Sequence, residues 1–118
     1  MPEVKQDGDG RRVLIVDDDG ATLNVMEIAL TKRGYEVKTT TSAAEGLDLL
    51  DRETFHAVIA DIMMPEMDGF DFLAQVRKRP ATATIPFIFL TGDRTVHSKV
   101  KGLDLGVDEY ITKPCVIE

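Results

Sequence analysis

Carboxylates, a hydroxyl and an amine follow the apolar runs of this 118-residue sequence. Asp17 and Asp18 come after VLIV, and Asp61 comes after AVIA. Thr91 follows FIFL, and Lys113 follows the short run YIT. A carboxylate beside a divalent cation, with an amine and a hydroxyl opposite, can accept a phosphoryl group, because the transfer needs its spread negative charge neutralised. These residue types point to phosphoryl chemistry.

The carboxylates also indicate a metal. Two carboxylates about 4 Å apart repel by roughly 4 kcal/mol at an effective dielectric of 20, so Asp17, Asp18 and Asp61 need a cation or a proton between them. Oxygen ligands without nearby His or Cys favour a hard ion, and an open site with several waters suits Mg²⁺ better than Zn²⁺. His56 and His97 lie away from the predicted strand ends, so we expect surface or packing roles for them.

Other reactions lack their usual sequence signatures. The sequence has no G-x-S-x-G, G-x-x-x-x-G-K or G-x-G-x-x-G, which disfavours acyl transfer, P-loop chemistry and dinucleotide binding. Asp19, the third carboxylate of its run, is predicted to cap the following helix rather than to bind a ligand.

Apolar runs alternate with helical patterns along the chain. Strands are predicted at 12–16, 35–40, 57–60, 86–90 and 109–112, and helices at 21–33, from 42, from 69 and at 96–105. Strict alternation implies right-handed crossovers and a doubly wound α/β fold, with a parallel sheet between helices. In such sheets ligands bind beyond the carboxyl ends of the strands. We therefore expect the polar residues that follow the strands to converge at one edge.

The second helix has a clear start. Ser42 and Glu45 form an S-x-x-E capping box, and Ala44, Leu47 and Leu50 are predicted to form the inner face of this helix.

Composition limits the classes of function. The length predicts one domain at 12–118, after a flexible tail at 1–11 that is rich in Asp, Gly and charge. The net charge of −7 argues against nucleic-acid and anionic membrane surfaces. Cys115 is the single cysteine, and no stretch reads as a signal peptide or membrane span, so we expect a cytoplasmic location.

Four segments carry a family resemblance. VLIVDDD, AVIADIMMPEMDGF, FIFLTG and DEYITKP stand in the order and spacing of the receiver domains of two-component response regulators. The chain resembles this family from Arg12 to Pro114. The resemblance implies a five-stranded parallel sheet of flavodoxin-like order 2-1-3-4-5, in a signalling domain that catalyses only its own phosphoryl transfer and slow dephosphorylation.

The resemblance also implies roles for the metal and its ligands. Asp61 would be the phosphoacceptor. Asp18, Asp61 and the backbone carbonyl of Met63 would bind Mg²⁺ directly, and Asp17 would assist through water. Mn²⁺ is expected to substitute for Mg²⁺.

A second set of implied roles concerns the phosphoryl group and the switch. Lys113 would contact the phosphoryl oxygens, and Thr91 would hydrogen-bond to them after transfer. Tyr110 matches the switch aromatic that moves as Thr91 shifts.

The family also implies partners. These are a histidine kinase or phosphotransfer protein, and an output domain or downstream protein, in the same longer chain or a separate one. A homodimer is a further expectation. The family continues with a fifth helix after Lys113 and Pro114, whereas only four residues follow here. We expect a fragment of a longer protein that lacks this helix.

Two alternatives stay open. VLIVDDDGA also resembles the first motif of haloacid-dehalogenase-type phosphatases, with Asp17 as nucleophile and Asp19 as acid, although Ala21 stands where that motif has Thr. The other alternative is a receiver that binds partners without being phosphorylated.

Overall fold

The computed structural model describes residues 9–92 and 107–112, with only the backbone described at Thr91, Tyr110 and Thr112. The elements are β1 (Arg12–Val16), α1 (Gly20–Lys32), β2 (Glu36–Thr40), α2 (Ala43–Arg52), β3 (Ala57–Asp61), α3 (Gly69–Lys78), a 3₁₀ turn (Pro80–Thr82), β4 (Phe87–Thr91) and β5 (Glu109–Thr112). The predicted helix at 96–105, with His97, lies outside the described residues, as do Lys113 and Cys115. None of the described helices is long and apolar enough to cross a membrane.

The strands form one parallel sheet in the order β2-β1-β3-β4-β5. This order confirms the predicted doubly wound, flavodoxin-like arrangement. Because β1 and β3 lie at the centre, the residues at their carboxyl ends become neighbours, although Asp17 and Asp61 are far apart in sequence.

The central strands are buried on both faces. In β1, Val13 and Ile15 pack in a cluster with Leu23 and Met26 of α1. The alternate residues of β1 lie in the larger cluster on the opposite face, which α2 and α3 cover. A run of consecutive apolar residues such as VLIV is what a strand between two helical layers requires.

The α2 face corrects one prediction. Leu47 and Leu50 are buried as expected, but Ala44 is exposed and Ala43 is buried instead. Ala43 lies four residues before Leu47 and seven before Leu50, which puts it on their stripe at 3.6 residues per turn, whereas Ala44 is rotated by about 100°.

The start of α2 also differs in detail from the predicted capping box. The hydroxyl of Ser42 accepts the Glu45 N–H at 3.2 Å, as expected. The Ser42 N–H, which a full capping box gives to the Glu side chain, donates instead to the hydroxyl of Thr40 at 3.1 Å. The last residue of β2 therefore helps to hold the first turn of α2.

Candidate functional site

Three carboxylates meet at the carboxyl edge of the sheet. Asp17 follows β1 and is fully buried, Asp61 ends β3 and is 5% exposed, and Asp18 is exposed. One oxygen of each lies within 4.8 Å of the others. The structure thus brings together the three carboxylates that the sequence predicted at this edge.

Local hydrogen bonds orient the two buried carboxylates. Asp17 Oδ1 accepts the N–H of Asp19 at 2.9 Å, and Asp61 Oδ1 accepts the N–H of Met63 at 3.1 Å. Each bond spans two residues, so the backbone that leaves each strand turns around its own carboxylate. The Asp17 N–H in turn donates to the Thr40 carbonyl at 3.1 Å, which ties the end of β1 to β2.

Asp19 serves the helix that follows. Its Oδ1 accepts the Ala21 N–H at 3.2 Å and its Oδ2 accepts the Thr22 hydroxyl at 2.6 Å. Asp19 is therefore the N-cap of α1, as the sequence predicted.

Gly69 lets the start of α3 approach the end of β3. A Cβ placed on Gly69 would lie 2.5 Å from the Asp61 carbonyl oxygen and 2.6 Å from Ile62 Cα. The Gly69 N–H donates to the Ile62 carbonyl at 2.7 Å, and the next residue, Phe70, packs edge-on against Phe89 of β4 with ring centroids 5.2 Å apart. Only a residue without a side chain allows this contact.

The donor set fits a hard divalent cation. Two oxygens that bind one Mg²⁺ at about 2.1 Å can be at most about 4.2 Å apart. The carboxylate oxygens of Asp17, Asp18 and Asp61 lie within 4.8 Å of one another, so small side-chain movements suffice to bring them into one coordination sphere. An all-oxygen set of this kind favours Mg²⁺ or Mn²⁺ over softer metals.

Met63 lies two residues after Asp61 and is open to solvent. Its side chain is 69% exposed although it is large and apolar, and its N–H is bonded to Asp61. The Met63 carbonyl remains a predicted metal ligand.

Thr91 and Tyr110, the predicted switch residues, are described through their backbone. Thr91 ends β4, next to β3 in the sheet, and pairs with Thr112 of β5. Tyr110 pairs with Phe89. Lys113 lies outside the described residues, directly after Thr112 in the sequence.

Sequence reasoning missed the part played by Gly69. The signal available was the Asp-Gly pair before a helix pattern, which predicts a turn and a helix start but not contact with a strand eight residues earlier. His56, expected to have a surface or packing role, lies at the other edge of the sheet, where its Nδ1 accepts the Arg12 N–H at 2.9 Å.

Comparisons with known proteins agree with this geometry. Residues 13–118 match the family model of the response regulator receiver domain. The DNA-binding dual master transcriptional regulator RpaA of Synechocystis sp. is 35% identical over 91% of this chain and 44% of its own length. Response regulator MprA of Mycobacterium sp. is 36% identical over 91% of this chain and 46% of its own. The chain thus spans less than half the length of these relatives.

A solved structure supports the same assignment. The chemotaxis protein CheY4 of Vibrio cholerae superposes with a TM-score of 0.88 at 30% identity, covering 91% of this chain and 89% of that one. Fold, family model and relatives agree, and the chain belongs to the family of response regulator receiver domains of two-component systems.

Proposed function

We propose that this receiver domain accepts a phosphoryl group on Asp61, in a step that depends on Mg²⁺, from a histidine kinase or a phosphotransfer protein. The observation that carries the proposal is the group of three carboxylates at the ends of adjacent central strands, with oxygens within 4.8 Å. Clustered charges of one sign cost free energy unless a cation binds between them. This arrangement is therefore explained better by a function than by stability.

Each carboxylate has a distinct part in the proposal. An oxygen of Asp61 forms a bond to phosphorus while the bond from phosphorus to the leaving nitrogen of phosphohistidine breaks, and the leaving imidazole takes up a proton. Asp18, Asp61 and the Met63 carbonyl would hold Mg²⁺, and Asp17 would assist through water. When bound, Mg²⁺ supplies positive charge to the phosphoryl oxygens.

Lys113 and Thr91 complete the proposed site. Lys113 contacts the phosphoryl oxygens with its ammonium group, and Thr91 donates its hydroxyl to them after transfer. The added charge of about −1.5 to −2 gives the loop after Thr91 a new partner. Tyr110 responds by changing position, which makes a two-state element for signalling.

The partners follow from the same proposal. We infer a cytoplasmic domain that controls an output domain or a separate downstream protein. A second copy of this chain is a further proposed partner, in a homodimer. RpaA is described as DNA-binding. A net charge of −7 supports the inference that DNA contact, where it occurs, belongs to another domain.

The phosphatase alternative fits the structure less well. It needs Asp19 as a proton donor near the nucleophile, but the oxygens of Asp19 accept hydrogen bonds from the first turn of α1. The phosphorylation-independent receiver offers no reason for the group of carboxylates.

Intact mass after incubation with acetyl phosphate, with and without Mg²⁺, tests the proposal. The wild type should gain one phosphoryl group only with Mg²⁺, and Asp61→Asn should gain none. Asp51→Asn, which removes a carboxylate from the other edge of the sheet, should behave like the wild type.

Two other results contradict the proposal. No adduct on folded wild type favours the phosphorylation-independent receiver. Steady hydrolysis of the donor that Asp17→Asn abolishes and Asp61→Asn preserves favours the phosphatase.

A further inference from the structure

A side chain completes the hydrogen bonding between β4 and β5 at their amino ends. The Asp108 N–H donates to the Phe87 carbonyl at 2.9 Å, and the Phe87 N–H donates to Asp108 Oδ2 at 2.7 Å. Phe87 is fully buried, so its N–H needs a partner, and Asp108 supplies one just before β5 begins. The two bonds fix Asp108 directly opposite Phe87.

Arg77 of α3 connects this pair to the turn before β4. Its guanidinium donates to the Ile85 carbonyl at 2.7 Å and to the Thr82 carbonyl at 3.3 Å. It also lies 3.8 Å from Asp108 Oδ2. We call Arg77, Phe87 and Asp108 the β5 anchor.

The β5 anchor is one of the contacts that set the register of β5, together with the packing of Val107 and Ile111 against the two core clusters. β5 is four residues long, and in the described sheet it pairs with β4 alone. With Asp108 opposite Phe87, the ladder runs to Thr91 opposite Thr112. A slip of one residue would turn every β5 side chain to the other face. Lys113 follows Thr112 directly in the sequence, so a change in the register of Thr112 would shift the start of the segment that carries this lysine.

We propose that Asp108 is a positioning residue for phosphoryl transfer, because its bond to the Phe87 N–H helps to hold β5 in the register on which the proposed contact of Lys113 with the phosphoryl group depends. This inference rests on the proposed function, in which Lys113 contacts the phosphoryl group. Asp108 acts from the opposite edge of the sheet and does not touch the reacting atoms.

A double-mutant cycle separates positioning from stability. The rate of phosphorylation by acetyl phosphate at saturating Mg²⁺ is measured per folded molecule for the wild type, Asp108→Ala, Lys113→Ala and the double variant. Asp108→Ala should slow the reaction about tenfold, since a displacement of ~1 Å can lower a rate by about 100-fold. The double variant should be no slower than Lys113→Ala within about twofold, because the two residues act through one interaction.

Two further variants complete the design. Asp108→Asn keeps an oxygen for the Phe87 N–H and should restore the rate to within about threefold of wild type, in keeping with an acceptor role rather than a charge role. Asp51→Ala removes a comparable ion pair, Arg79 to Asp51 at 2.7 Å, which joins α2 to α3 without touching β5, and should leave the rate unchanged. If Asp108→Ala does not fold, Asp108→Ser, with a hydroxyl one bond shorter, takes its place in the cycle.

The possible outcomes are distinct. The positioning role is overturned if the rate losses of Asp108→Ala and Lys113→Ala multiply in the double variant. It is also overturned if Asp108→Ala folds and is phosphorylated at the wild-type rate. A wild type that takes up no phosphoryl group, or takes it up without Asp61, overturns the proposed function itself.

Discussion

The two edges of the sheet use charge in opposite ways. At the amino edge, carboxylates are matched with arginines: Arg12 contacts Glu36 and Glu53, and Arg79 contacts Asp51. At the carboxyl edge, three carboxylates are held within 4.8 Å of one another. The amino edge has the charge pattern expected of a structural surface, and the carboxyl edge has the pattern expected of a site.

The difference follows from how the helices are placed. The helices run against the strands, so α2 and α3 begin at the carboxyl edge, where Ser42 and Asp68 cap them. Their last turns lie at the amino edge and carry basic residues, as the helix dipole favours. Basic side chains are thereby available to pair with acids at the amino edge, while the part of the carboxyl edge that the structure describes has backbone N–H groups and carboxylates.

The largest expected effect on stability comes from Gly69, where α3 approaches the backbone of β3 at the carboxyl edge. Gly69→Ala should lower the free energy of unfolding by about 3 kcal/mol, because the new Cβ would overlap backbone atoms of β3 that cannot move independently. Urea denaturation measures the loss. Gly46→Ala is the control: its Cβ would come only within 3.1 Å of a Val16 side-chain carbon, so its cost should be much smaller. Equal costs would contradict the claim that Gly69 is needed for contact with backbone.

The second prediction is that replacing Asp by Asn has opposite effects on the free energy of unfolding at the two edges. Without Mg²⁺, Asp17→Asn should raise the free energy of unfolding by about 2 kcal/mol, because it relieves the repulsion of Asp17 by Asp18 and Asp61, which the solvent around the exposed Asp18 screens only in part. Mg²⁺ at about 100 times its Kd should stabilise the wild type by about 2.7 kcal/mol and the variant much less. Asp51→Asn at the amino edge should instead destabilise. Urea titrations with and without Mg²⁺ measure the free energy of unfolding of both variants. If Asp17→Asn were less stable than the wild type without Mg²⁺, the proposed difference between the two edges would be wrong.

The third prediction concerns the lifetime of the phosphorylated state. Met63 is bulky and exposed beside Asp61, so it should hinder the attacking water. Met63→Asn should shorten the half-life of the phosphoryl group about threefold, because the smaller amide side chain admits water and orients it by hydrogen bonding. Loss of the mass adduct with time after removal of the donor measures it. Met63→Leu, similar in bulk, is the control and should keep the wild-type half-life. Unchanged decay in the Asn variant would refute the role of Met63.

The smallest effect should be the pH dependence of the free energy of unfolding that arises from the Arg12–Glu53 pair at the amino edge. The hydrogen bond from Arg12 holds the pKa of Glu53 below its ordinary value of 4.5. The unfolded state then binds the proton more tightly, so the stabilisation is fully present above pH 4.5 and is lost as the pH falls through the folded pKa. Urea midpoints between pH 6 and 3 should fall less steeply for Glu53→Gln. An identical slope in the variant would show that this pair is too well solvated to matter.

Much of the fold was predictable because its signals are local. The VLIV run indicated a strand buried on both faces, and the alternation of strand and helix patterns indicated the parallel sheet. The prediction that Ala44 lies on the inner face of α2 was wrong. Ala43 and Ala44 are both small and both stand at the start of the helix, so the local sequence does not distinguish them, and packing against the sheet buries Ala43.

The sequence by itself determined which residues end the strands, and hence that Asp17, Asp18 and Asp61 would share one edge, since strand and helix periods are read over a few residues. Only the tertiary structure decided how near those oxygens lie, that Gly69 touches the Asp61 backbone, and that Asp108 caps a strand 21 residues away in sequence. These contacts depend on how separate elements pack, and packing is a property of the whole chain rather than of any segment.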